Sequence, residues 1–200
     1  QQRSGSGIDV AAIAYGGIGL YRSLGADFLV QLTGPAIVNT AFSVAIWTPL
    51  AMPAGAMLLA GFTGQSVSTG PAVAHVLTWA EAHPQQWIEF ASLSRQAVNV
   101  CVRGLESGQL PTFQLGMREA RRVLRGLGQS IGLTIETPLL AALADSAEAL
   151  GASGKSSGAG GGDCGIAVIE AGEPEKRLKD RWQQLGIRNV PVTVVPSIGV

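Results

Sequence analysis

The chain has 200 residues, 14 Lys or Arg against 14 Asp or Glu, and a formal net charge of zero. That length buries a full core in one or two domains, and the charge balance excludes the basic footprint of a nucleic-acid binder. Two distant cysteines, Cys101 and Cys164, exclude a disulfide framework and a zinc-binding spacing, and they read as packing thiols in a reducing cytosol.

The chain starts at Gln1 with neither an initiator methionine nor a signal peptide, so it reads as part of something longer. Ser4-Gly5-Ser6-Gly7 is a small-residue loop, and Asp9 to Tyr15 is a short helix ended by Gly16-Gly17. Ile18 to Ser23 reads as a strand with Asp27 to Leu32 as its hairpin partner. Phe42 to Thr48 and Ala56 to Phe62 are further strands, split by Pro49 and Pro53. Phe28 to Trp79 contains no Asp, Glu, Lys or Arg. A membrane span fails there, because Pro49, Pro53, Gly55 and Gly61 interrupt it and a spanning helix needs ~20 consecutive apolar residues with basic flanks. Buried strands joined by turns fit better, and so little charge marks a surface that packs on a partner or on another part of the same protein.

Four helices are predicted next. The first, Ser68 to Ala82, buries Val73, Val76, Leu77 and Ala80 and stops at His83-Pro84. The second, Gln85 to Ser107, repeats Trp87, Phe90, Ser94, Ala97, Cys101 and Leu105 on one face. The third opens at Pro111 and stacks Phe113, Met117, Ala120, Leu124 and Leu127, with Arg118, Arg121, Arg122 and Arg125 as a solvated face. The fourth has Thr137 as N-cap and Pro138 at N1, buries Leu140, Leu143, Ala144, Ala147 and Leu150, and ends at Gly151. After a glycine-rich stretch come a strand from Cys164 to Glu170, a helix from Pro174 to Leu185 and a strand from Val190 to Val195. From Ala56 onward this is an α+β plan, the ferredoxin-like split β-α-β-β-α-β arrangement with inserted helices.

The glycine-rich stretch carries the chemistry. Five of the eight residues from Gly158 to Gly165 are glycine, preceded by Lys155, Ser156 and Ser157. Glycines admit positive φ and let main-chain N–H groups approach an anion, so the stretch predicts a cradle for a phosphorylated ligand. Gly160, Gly162 and Gly165 satisfy G-x-G-x-x-G, but that fingerprint must open a helix and a strand follows here. Gly154-Lys155-Ser156 matches the end of a P-loop, but its first glycine would fall at Ala149 inside a helix. Gly154 to Gly158 fits G-x-S-x-G, yet the only histidines, His75 and His83, lack a catalytic context.

Four segments together resemble one family, the GHMP small-molecule kinases. Ser6 to Gly17 resembles their aspartate-bearing segment. Gly61-Phe62-Thr63-Gly64-Gln65-Ser66-Val67-Ser68-Thr69 resembles the W-T-G-x-S-x-S-T turn of the phosphomevalonate branch, with Phe62 in place of Trp. Ile135-Glu136-Thr137-Pro138 fits the segment before the third motif. Lys155 to Val168 resembles that motif in its K-x-S-G-A-G-G-G-D-C-G-I-A form.

The resemblance implies that residues 1–52 are a remnant of the S5-like amino-terminal domain and 53–200 the GHMP kinase carboxy-terminal domain. It implies transfer of the ATP γ-phosphoryl to 5-phosphomevalonate, giving 5-diphosphomevalonate for isoprenoid synthesis by the mevalonate pathway, in the cytoplasm, with no nucleic-acid or membrane partner. The family's first motif and its P-x-G-L-G-S-S-A loop are absent. ATP and Mg²⁺ are therefore expected to be bound mainly by a missing amino-terminal part, and the chain alone is expected to be inactive. Asp9 is implied as catalytic, orienting a lysine or Mg²⁺; read by itself it is a carboxylate favoured by a helix N-terminus. Ser6, Ser66, Ser68, Thr69, Lys155, Ser156, Ser157, Gly158, Ala159 and Gly160 are implied to bind substrate, with Gly161, Gly162 and Asp163 supporting the loop. No metal ligand is assigned within the chain. Two alternatives stand beside this reading: another family enzyme (mevalonate kinase or diphosphomevalonate decarboxylase), or a non-catalytic phosphometabolite-binding module.

Overall fold

The computed structural model describes residues 8–22, 47–65, 69–158 and 160–195. They divide into two compact units, Gln1–Ala51 with Val194–Val200, and Met52–Thr193.

In the first unit, helix α1 (Ile8–Tyr15) precedes strand β1 (Ile18–Tyr21). Gly16 and Gly17, both at φ 66, make the turn between them. The partner of β1 is β2 (Trp47–Leu50), antiparallel, with Ile18 opposite Leu50 and Tyr21 opposite Trp47. Asp27 to Leu32, the expected hairpin partner of β1, lies outside the described residues. The strand expected from Phe42 to Thr48 is described from Trp47 onward, and it runs on through Pro49 to Leu50. Pro49 lies inside β2, opposite Gly19, so the strand runs past the proline expected to end it. Any side chain at Gly19 would collide with the Trp47 indole, which stacks on Tyr15 with ring centroids 6.0 Å apart.

The second unit runs β3 (Ala56–Phe62), α2 (Thr69–Ala82), α3 (Pro84–Glu106), α4 (Leu110–Ile131), α5 (Pro138–Glu148), β4 (Ser153–Ser156), β5 (Cys164–Glu170), α6 (Glu173–Gln184) and β6 (Arg188–Val190). Its strands lie in the order β4-β5-β3-β6, each neighbouring pair antiparallel. This is the split β-α-β-β-α-β topology, with three additional helices between β3 and β4. The last strand is shorter and earlier than expected, because Pro191 cannot continue the ladder.

Leu143 and Ala147 of α5, Leu178 and Trp182 of α6, and Leu59, Ala167 and Ile169 of the sheet form the core. Gly61 and Gly165 pair across β3 and β5, which lets α5 come close: a methyl at either would sit 2.9 or 2.7 Å from Leu143 Cδ1. Trp182 is fully buried, and its Nε1 donates to the Leu143 carbonyl at 3.2 Å. Thr137 caps α5 as its sequence demands, accepting the Leu140 N–H at 3.3 Å with Pro138 in the first turn.

Strand alternation places α4 and α5 on opposite sides of β4. Gly154 lies against Ala144 of α5, while the Ser153 hydroxyl donates to the Gln114 carbonyl of α4 at 2.9 Å. Here the solvated arginine face needs correction. Arg121 is 6% exposed and ion-paired, and Arg118 donates to Ser153 Oγ at 2.7 Å; Arg122 and Arg125 remain exposed. A second correction concerns α2, which buries none of its side chains; Leu77 is exposed. Among the described residues no helix is long and apolar enough to cross a membrane.

Trp182 gives the fold a direct test. Trp182→Ala is expected to lower stability by about 3–5 kcal/mol, read as a shifted urea midpoint, whereas Trp182→Phe keeps most of the packing and costs far less.

Candidate functional site

Residues 157–163 connect β4 to β5, and the main chain holds this loop in three places. At its base the Ser157 N–H donates to the Cys164 carbonyl at 2.9 Å. In its middle Gly161 N–H donates to the Ile135 carbonyl, in the turn between α4 and α5, at 2.7 Å. At its end Asp163 N–H donates to the Gln65 carbonyl at 2.6 Å. The Asp163 carbonyl in turn accepts from Thr63 twice, from N–H at 2.8 Å and Oγ1 at 2.9 Å. Three segments far apart in sequence, 61–65, 135–138 and 155–168, therefore meet at this loop.

The loop backbone explains its composition. Gly158, Gly160, Gly161 and Gly162 have φ of 70, 76, 79 and 145. Asp163, at φ 59, is the one non-glycine residue in that half of the map among the described residues. A Cβ at Gly160 would strike the Ile135 carbonyl oxygen. The amides of Ser157, Gly161 and Asp163 are spent on the protein itself. Those of Gly158, Gly160 and Gly162 have no protein acceptor among the described residues. Of these three, Gly158 is exposed, Gly160 half-buried and Gly162 buried; donors without a protein acceptor, set beside amides that the protein holds, are what a main-chain anion site requires.

The side chains around the loop divide by exposure. Ser157 and Asp163 are exposed, whereas Ser156 is buried on the strand face it shares with Gly154. Lys155 is half-buried, and its Nζ donates to the Ser156 carbonyl at 2.6 Å. Burial holds its pKa below the usual lysine range. The Cys101 thiol is pushed up to about 11 by burial, and burial together with Asp163 also raises Cys164. Both thiols are protonated at neutral pH and serve as packing groups rather than nucleophiles.

Thr69 opens α2 and is exposed; Asp9 lies in the first turn of α1, exposed, in the other compact unit. Ser6, Ser66, Ser68 and Ala159 lie outside the described residues. The described residues contain no cluster of three side chains suited to a metal ion. Sequence reasoning missed Thr63 and Ile135 as loop partners, although both stand inside segments it had singled out. It also missed Arg188, whose guanidinium lies 5.0 Å from the centre of the Phe62 ring, one strand from Cys164. Its separation from the loop in sequence left no signal.

Comparison with known proteins bears on the same residues. Residues 101–188 match the family described as GHMP kinases C terminal. The phosphomevalonate kinase of Streptomyces sp. (strain CL190) is 36% identical over 198 residues, a stretch covering 94% of this chain and 52% of that protein. The Lin0012 protein of Listeria innocua has a similar structure, with a TM-score of 0.84 at 31% identity, over 95% of this chain and 54% of its own. The phosphomevalonate kinase of Streptococcus pneumoniae, solved in complex with phosphomevalonate and AMPPNP, gives a TM-score of 0.71 at 29% identity, over 92% of this chain and 54% of that one. The chain thus spans about half the length of the relatives it matches.

Two variants test the loop geometry. Gly160→Ala places a side chain at positive φ against Ile135, and is expected to cost about 1–3 kcal/mol and to abolish pyrophosphate binding measured by calorimetry. Lys155→Met removes a desolvated cation. A base whose folded pKa is lowered destabilises the fold at neutral pH, and the penalty fades as pH rises toward its unfolded pKa. Lys155→Met is therefore expected to melt higher than the parent at pH 7, with the gap closing as the solution approaches pH ~10.4. Equal melting points across that range would contradict it.

Proposed function

We propose that this chain, whose residues 101–188 match the family described as GHMP kinases C terminal, is one segment of an ATP-dependent phosphomevalonate kinase. The observation carrying this reading is the loop between β4 and β5, where the amides of Gly158, Gly160 and Gly162 have no protein acceptor among the described residues, with its Gly-Asp-Cys-Gly exit into β5. The ligands named for the pneumococcal relative, phosphomevalonate and AMPPNP, support phosphomevalonate as acceptor and ATP as donor.

In the proposed reaction an oxygen of the 5-phosphate of phosphomevalonate attacks the γ-phosphorus of ATP. A new P–O bond forms, the bond from the γ-phosphorus to the β,γ-bridging oxygen breaks, and ADP leaves. A phosphate monoester has a second pKa near about 6, so the nucleophile is mostly dianionic at neutral pH. Removing a proton is then a minor part of the task. Positioning two anions and neutralising their repulsion is the major part. Main-chain N–H groups suit that work, since they are fixed dipoles that need no counter-charge.

Residue roles follow from this reading. The free amides of Gly158, Gly160 and Gly162, with the exposed Ser157, hold the acceptor phosphate. Lys155 adds positive charge behind them. Ser6, Ser66, Ser68 and Thr69 complete the substrate contacts, and Gly161 and Asp163 keep the loop in shape. Asp9 orients a cation, either a lysine or Mg²⁺, because an unpaired carboxylate beside two phosphates would repel them. Mg²⁺ would supply charge neutralisation on the ATP phosphates and is expected to be bound mainly outside these residues. Alone, the chain is expected to be inactive, and the cytosol is the compartment this chemistry implies.

A coupled ADP-release assay on the intact protein is expected to show turnover of 5-phosphomevalonate. Turnover of mevalonate without turnover of its phosphate would overturn the assignment. Asp9→Asn is expected to lower kcat about 100-fold or more while the acceptor KM moves much less; a near-normal kcat would remove Asp9 from the mechanism.

A further inference from the structure

The turn that grips the glycine loop is itself held by a buried ion pair with no assigned role. Residues 132–137 have no regular structure, yet both ends are fixed. Gly132, at φ 67, closes α4, and the Leu133 N–H donates to the Gly128 carbonyl at 2.9 Å. Thr137 caps α5 at the other end. Between them Ile135 is buried against Leu127 and Ile131. Its carbonyl receives the Gly161 N–H at 2.7 Å.

The next residue, Glu136, has a side chain only 8% exposed. It accepts two parallel bonds from Arg121, from Nε at 2.9 Å and from Nη2 at 2.7 Å. The same guanidinium donates to Asp145 at 2.6 Å and to Glu148 at 2.8 Å on α5. These partners hold Arg121 firmly charged, its pKa raised chiefly by Glu136. A buried ion pair is weak evidence for stability, since apolar side chains of equal volume often serve as well. What the bidentate fork supplies is direction: it fixes the plane and the position of the carboxylate it grips. Here that carboxylate belongs to the residue adjoining the carbonyl that holds Gly161.

We propose that Arg121 and Glu136 are positioning residues for the glycine loop, setting the Ile135 carbonyl so that the amides of Gly160 and Gly162 face the acceptor phosphate. The inference deepens the proposed kinase function and rests on it for the kinetic part of its test. The exchange part needs no substrate, so a failure of one is distinguishable from a failure of the other.

Glu136→Gln and Arg121→Lys are compared with the parent in the intact protein by hydrogen–deuterium exchange without ligand. Exchange over residues 157–164 is expected to accelerate about tenfold, while 165–170 of β5 and the body of α4 keep their protection. In the ADP-release assay kcat is expected to fall about tenfold with a smaller change in acceptor KM. Gly160→Ala strains the same contact, so its effect on kcat is expected to be less than additive with Glu136→Gln. Unchanged loop exchange, acceleration shared equally by loop, strand and helix, or full additivity would each overturn the proposal. Should Glu136→Gln fail to fold, Arg121→Lys, which keeps the buried charge, decides by the same comparison.

Discussion

The hydrogen bond from the Gly161 amide to the Ile135 carbonyl, 2.7 Å long, is the contact on which the loop's usefulness depends. Glycine gives up more backbone freedom on ordering than any other residue, in a range where ordinary residues already lose about 1–2 kcal/mol. A run of glycines left alone would have no single shape and would present no fixed donors. Three clamps oppose that loss here, at Ser157, at Gly161 and at Asp163, the last bonded to Thr63 and Gln65. Between and beside the clamps, the amides of Gly158, Gly160 and Gly162 stay unused among the described residues. The glycines are thus needed twice, for their positive φ and for the absence of a Cβ where Gly160 meets Ile135.

Such a site suits a chain with no surplus charge. With 14 cationic and 14 acidic residues, it has no broad positive field to draw in a phosphate. The half-buried Lys155 supplies one charge behind the loop, at a cost in desolvation that the lowered pKa records. Main-chain dipoles supply the rest without such a penalty. In the proposed kinase the acceptor carries its own negative charge, so fixed donors are worth more than a base. On that proposal the carboxylate at Asp9 would act through a cation rather than on a proton.

Local rules made much of the fold legible in the sequence. Thr137-Pro138 marked the start of α5, the Trp87-to-Leu105 periodicity marked α3, and the apolar run after Asp163 marked β5. The glycine spacing marked the loop itself. Long-range pairing was harder to read. The strand expected to stop at Thr48 runs through Pro49 to Leu50 and pairs with β1, so the proline was no boundary. Arg121 was read as solvated because it belongs to a run of arginines. Its place four residues after the buried Met117 put it on the inner stripe of α4, and its carboxylates come from positions 136, 145 and 148. No short window of sequence contains that cluster, and the same holds for Thr63 and Asp163, a hundred residues apart.

The central claim is that the loop binds a phosphorylated metabolite through selected main-chain amides. Titrating the intact protein, labelled with ¹⁵N-glycine, with 5-phosphomevalonate tests it most directly. The account predicts saturable shifts at the Gly158, Gly160 and Gly162 amides, with Gly161 moving least because Ile135 already holds it. Saturable binding that leaves those three resonances in place would contradict the account.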